Sequence, residues 1–137
     1  MLDTLYASAQ GLPAFAAYFG LAAAALLLFA RIYSWLTPHH ELALIREGNS
    51  AAAIAFGGAL IGFALPLSSA IKNSLSLPDC ALWALVALLV QLLTFVCVRL
   101  TLRQLPARIS NGDVAAGVFM ASVAIAVGLL NAASMTY

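Results

Sequence analysis

No charged side chain stands between Asp3 and Arg31, and the same holds from Gly48 to Ile71, from Cys80 to Val98, and from Val114 to Tyr137. Each run holds about 19 residues or more, enough for a helix to cross a hydrocarbon layer of about 30 Å. Lipid offers no partner to an unpaired backbone group, so a spanning segment must satisfy its own hydrogen bonds as a helix. The composition agrees: 64% of residues are hydrophobic and 8% are charged, too few charges for a surface that faces water all round. The expected fold is therefore an all-α membrane protein with four transmembrane helices, near 13–36, 49–71, 79–101 and 113–134, in one integral domain over 1–137. No Lys or Arg precedes the first run, so it counts as a span and not as a secretory signal. Nothing is left over for a soluble catalytic domain.

The charges themselves set the expected orientation. Arg31 and Arg46 flank the first connection, and Arg99, Arg103 and Arg108 flank or occupy the third, whereas the middle connection carries Lys72 and Asp79. Five of the six basic residues thus fall at one end of the bundle. The positive-inside rule makes that end cytoplasmic, with both termini and the "KNSLSLPD" turn outside. Arg31 and Arg99 lie in the last turns of their spans. They act either as snorkelling anchors that reach the headgroups or as a pair at a cytoplasmic mouth that binds an anion or a lipid phosphate.

A shift of 64 residues lays the chain on itself: Ile45 falls on Ile109, Gly48 on Gly112, Asn49 on Asp113, Ala51 and Ala52 on Ala115 and Ala116, Ile61 on Ile125 and Leu65 on Leu129. Two helical hairpins, about 13–71 and 79–134, are therefore expected as a parallel tandem repeat. This differs from the inverted repeats of many transporters. Asn49 and Asp113 are suited to cap the helices that follow them, and Gly48 and Gly112 supply positive-φ backbone for a tight entry. The repeated turn is either two helix starts at the cytoplasmic surface or one docking surface made of both. Upstream, "PHHELALIREG" is too charged to span. Leu42 and Ile45 fall on one side of a short helix expected to lie in the interface, with "LPARI" as a reduced counterpart.

Within the spans, small residues recur at helical period. Ala51, Ala55, Gly58 and Gly62 form one stripe, and Gly117, Ala121, Ala124 and Gly128 form another. Gly58-x-x-x-Gly62 has the spacing that lets membrane helices approach closely, so these stripes should pack helix on helix, within one chain or between chains. Pro66 has no N–H and should free the Gly62 carbonyl, with Ser68 and Ser69 at hand to satisfy it; a kink follows, with a hinge or an ion-coordinating carbonyl as the alternative. Gln91, near the middle of the third span, should point inward or across an oligomer contact as interhelical glue, with a pore-lining role as the alternative. Asn131 is read in the same way. Cys80 and Cys97 lie too far apart along one helix to bridge; Cys97 is read as packing and Cys80 as nearer the outer surface. His39, His40 and Glu41 are too few for a zinc site. No nucleophile–base pair, phosphate loop or carboxylate pair is visible.

At "IREGNSAAAIAFGGALIGFALPLSSAI" (45–71) and "LPARISNGDVAAGVFMASVAIAVGLLNAASMTY" (105–137) the chain resembles the YjfL family, small bacterial inner-membrane proteins classed as a domain of unknown function. The resemblance implies four helices from a duplicated hairpin and no established activity. Association of family members with ATP-grasp and aminopropyltransferase-like proteins implies a membrane partner for an envelope-modifying system. The expected function is a non-enzymatic inner-membrane scaffold, a homo-oligomer that offers a basic cytoplasmic face to a protein partner, with lipid as solvent. It calls for no cofactor, metal or nucleic acid. The alternative is a small oligomeric channel or transporter lined by the second and fourth spans. Proton-coupled cation export is disfavoured, because Glu41, Glu47 and Asp113 are all expected at the interface and the spans hold no acid.

Overall fold

A computed structural model describes residues 1–37 and 41–135. The described residues form helices and no strand: α1 (Leu2–Ala9), α2 (Leu12–Leu36), α3 (Glu41–Arg46), α4 (Ser50–Asn73), α5 (Leu77–Thr101), α6 (Leu105–Ser110) and α7 (Val114–Ser134). The helices α2, α4, α5 and α7 are built on the four charge-free runs, and each is long and apolar enough to cross a membrane. His39 and His40 lie outside the described residues.

Helix ends follow local chemistry. Pro13 stands in the first turn of α2 and Pro78 in the first turn of α5, where a missing N–H costs nothing. Ser76 caps α5 by accepting from Asp79 N at 3.3 Å, while the Asp79 carboxylate accepts from Leu75 N at 3.1 Å, a reciprocal arrangement akin to a capping box. The exposed helix α1 lies upstream of the expected first span. Its signal was Asp3 in a first turn ahead of Leu5 and Tyr6.

The bundle is organised around α4 and α7. Their contacts rise together along both helices: Gly117 against Ala51, Gly58 against Ala121, Gly62 against Ala124, and Ser69 Oγ donating to Ala132 O at 3.0 Å. The two helices therefore run parallel. A β-carbon added at Gly58, Gly62, Gly117 or Gly128 would overlap atoms of the facing helix, including backbone. Such contact adds dispersion and is open only to residues without a side chain.

By contrast, α2 is peripheral. It buries Phe29 and Tyr33 and leaves Phe15, Phe19 and Leu27 largely outside. An aromatic cluster attaches its second half: Phe29 stacks on Phe63 with centroids 4.8 Å apart, and Tyr33 meets Phe95 edge-on at 5.0 Å and Phe56 at 5.8 Å. These pairings make α2 antiparallel to α4. The C-terminal ends of α2 and α5 and the N-terminal ends of α4 and α7 thus share one end of the bundle with α3 and α6. All five arginines stand there, and Lys72 stands at the other end.

Candidate functional site

The arginine end is made by two similar turns. In the first, Gly48 N donates to Ile45 O and Asn49 N to Leu44 O; in the second, Gly112 N donates to Ile109 O and Asp113 N to Arg108 O. These are the paired bonds that close a helix with a left-handed residue at its end, and Gly48 and Gly112 have φ of 87° and 79°. Each glycine therefore ends a short helix as well as opening a long one. Asn49 then caps α4 through Ala52 N at 3.0 Å, and Asp113 caps α7 through Ala116 N at 3.4 Å.

The capping residue, Asn49 in the first turn and Asp113 in the second, breaks their symmetry. The Asn49 amide donates across to Ile109 O at 2.9 Å and Ser110 O at 3.2 Å, satisfying carbonyls that the last turn of α6 leaves without helical partners. A carboxylate cannot donate, and Asp113 instead accepts from Arg108 Nε at 2.7 Å. That hydrogen bond, with help from the Ala116 and Ala115 amides, holds the Asp113 carboxyl below its ordinary range. Arg108, expected as a cytoplasmic anchor, is engaged in this ion pair. Arg31, Arg46, Arg99 and Arg103 are exposed and form no ion pair within the described residues.

The short helices are set otherwise than expected. Leu42 of α3 faces outward, 59% exposed, while Leu44 and Ile45 pack on the core. Glu41 is turned into the bundle and is 1% exposed. Its counterpart at the shift of 64 is Leu105, equally buried. The first residue of each short helix is a plug, and in the first half that plug is a carboxylate lying within electrostatic reach of Tyr33. The Tyr33 hydroxyl is buried with no hydrogen bond to the described residues. The sequence signal lay in the repeat itself, since Glu41 aligns with an apolar residue.

Midway along the bundle, Pro66 sits inside α4 and leaves the Gly62 carbonyl without its helical donor. Gln91 Nε2 supplies the missing bond at 3.0 Å in a buried setting. Of the two serines expected to help here, Ser69 donates instead to Ala132 O; Thr94 donates to Val90 O within its own helix. A β-carbon on Gly128 would overlap the same Gly62 oxygen. Pro66, Gln91 and Gly128 thus converge on one carbonyl. The Asn131 amide nitrogen is buried with no hydrogen bond to the described residues. Cys80, near the start of α5 at the end away from the arginines, is buried on the face of that helix turned to the core, and Cys97 is exposed. Among the described residues no three His, Cys, Asp or Glu side chains come close enough to share a metal ion.

This geometry defines a class, an α-helical integral membrane protein closed around a parallel pair of glycine-rich helices and capped at one end by two short helices. Within that class the comparisons are specific. The family described as Domain of Unknown Function (DUF350) matches residues 7–135, and the chain belongs to it. The chain is 48% identical over 128 residues to the UPF0719 inner membrane protein YjfL of Escherichia coli (strain K12), covering 93% of this chain and 97% of that protein. The same figures hold for the protein of that name from Escherichia coli O157:H7. No solved structure matches the chain. With its four apolar helices, it is an inner-membrane protein.

Proposed function

We propose that this protein is a non-enzymatic subunit of an inner-membrane assembly, and that its arginine-bearing end is a cytoplasmic docking platform for a protein partner. The observation that carries this reading is the Asn49 amide bonded to the carbonyls of Ile109 and Ser110. It ties the end of α6 to the start of α4, so that the two short helices and their turns form one surface. Arg46, Arg99 and Arg103 are exposed around it, a charge pattern suited to an acidic partner surface. The same arginine excess makes this end cytoplasmic under the positive-inside rule and leaves both termini periplasmic. The matching order of short helix, glycine turn, side-chain cap and long helix supports a parallel duplication of one hairpin.

Self-association belongs to the same reading, but not through the small-residue stripes, which are consumed inside the protomer. The outward face of α2, with Phe15 and Phe19 each 63% exposed, is the surface left for a second copy. A channel between α4 and α7 draws less from the geometry, since the two helices touch backbone to backbone. The test is photo-crosslinking in native membranes from Glu47 and from Ser110. One dominant partner should be captured from both positions and lost when Arg46 and Arg103 are changed to Gln. Absence of any adduct there, or the same adduct from Leu75 at the opposite end, would remove the docking role.

A further inference from the structure

On the flank of the arginine end, the last turns of α5 and α2 meet the start of α6 around a groove of about 340 Å³. Leu36, Phe95, Val96, Leu100 and Pro106 form its apolar walls, and Arg99 and Gln104 are the polar side chains that line it. A volume of this size is within the range of small-ligand sites. Arg31, with which the sequence paired Arg99, does not line it.

Depth, charge and shape narrow the occupant. Val96 and Leu100 are 43% and 77% exposed on the outward side of α5, so the groove opens sideways into the bilayer. Trp35, next to Leu36 and 83% exposed, is the residue type that settles at the headgroup level. The groove therefore straddles the boundary between acyl chains and headgroups. Arg99 is exposed and without an ion pair among the described residues, and no acid lines the groove. A guanidinium fork matches the oxygens of a phosphate. Gln104 has φ of 58°, the positive-φ residue other than glycine among the described residues. This conformation is costly for a side chain with a β-carbon; it caps α6, whose first turn sets Pro106 against the groove.

We propose that this groove is a binding site for one anionic phospholipid. Its phosphate lies on Arg99, the Gln104 amide donates a second hydrogen bond, and one acyl chain follows Val96 and Leu100. The site depends on the depth of the bundle in the bilayer and not on which compartment the arginine end faces, so it stands or falls apart from the docking platform.

The test is native mass spectrometry of the full chain in mild detergent. The protein is titrated with phosphatidylglycerol and, separately, with phosphatidylethanolamine bearing the same acyl chains. Phosphatidylglycerol should be retained in preference, and Arg99→Gln should weaken it about fivefold, the effect of one arginine at a charged membrane surface. Arg46→Gln, at the same end and outside the groove, should leave retention unchanged. Val96→Trp, which fills the apolar wall without touching Arg99, should also lower it, with helix content and melting checked for each variant. Full retention by Arg99→Gln, or equal loss from Arg46→Gln, would overturn the site in favour of diffuse charge. Displacement of the lipid by glycerol phosphate at equal concentration would overturn it in favour of a plain anion site.

Discussion

At the scale of single residues, two side chains do work that a neighbour's chemistry makes necessary. Gln91 matters because Pro66 has left the Gly62 carbonyl without a donor. Gln91→Leu should therefore lower stability by about 1–2 kcal/mol, as expected for a buried acceptor stripped of its partner. The cost should shrink when Pro66→Ala is present, since the alanine N–H can reach Gly62 O within the helix. Additive losses in a double-mutant cycle, measured by unfolding in detergent, would break this link. Asn49 and Asp113 make the complementary case. Asn49→Asp keeps an acceptor for Ala52 N but sets a carboxylate against the carbonyls of Ile109 and Ser110, and about 1–2 kcal/mol should be lost. Asp113→Asn keeps its cap and should be far milder near neutral pH. Folding favours the charged form of Asp113, whose folded pKa lies below 3.8. Its contribution is present above pH 3.8 and disappears as the pH falls through the lower folded value. A melting profile in acid should show this limb in the wild type and lose it in Asp113→Asn.

At the scale of elements, the α4–α7 seam decides what the small residues are for. Gly62→Ala adds only a methyl group, yet that methyl has nowhere to go, because the backbone of Ala124 occupies the space. The helices must move apart, and overpacking of this kind costs about 1–3 kcal/mol. The variant should melt earlier as a monomer, and Gly57→Ala, on the same helix where an added β-carbon meets nothing within 4 Å, should not. A shift in oligomer size with an unchanged monomer melt would place the seam between chains instead. Much of this was legible beforehand. The charge-free runs point to the spanning helices, and the i, i+4 spacing of glycine and alanine marks the faces that α4 and α7 bury. The pairing was not legible, since an apolar stripe looks the same whether its partner is in the same chain or another. Nor was the partner of Gly62: Gln91 lies 29 residues away, and the nearer serines were equally plausible donors until the fold fixed their directions. The aromatic cluster escaped for the same reason. Phe29, Tyr33, Phe56, Phe63 and Phe95 are ordinary membrane residues in sequence, and only the crossing of α2 with α4 and α5 brings their rings together.

At the scale of the whole molecule, topology is a matter of which helix ends share a side. The parallel course of α4 and α7 requires Ser50 and Ser110 to lie together at the arginine end, and α5, which follows α4 through a short turn, requires Leu75 to lie at the other. In the proposed orientation the arginine end is cytoplasmic, because arginines in short connections resist translocation and Lys72 alone weighs against five of them. Single cysteines at these three positions, in a background with Cys80 and Cys97 changed to Ala, make both claims measurable. Ser50, Ser110 and Leu75 are all exposed, so each site is open to reagent. A membrane-impermeant maleimide added to intact cells with a permeable outer membrane should label Leu75→Cys and spare Ser50→Cys and Ser110→Cys until the inner membrane is opened. The reverse pattern would keep the bundle and invert its orientation, moving the arginine surface out of reach of any cytoplasmic partner. Labelling of Ser50→Cys and Ser110→Cys from opposite compartments would be more severe: the glycine seam between α4 and α7 cannot form between helices that enter from different sides, and the bundle built on it would fail with it.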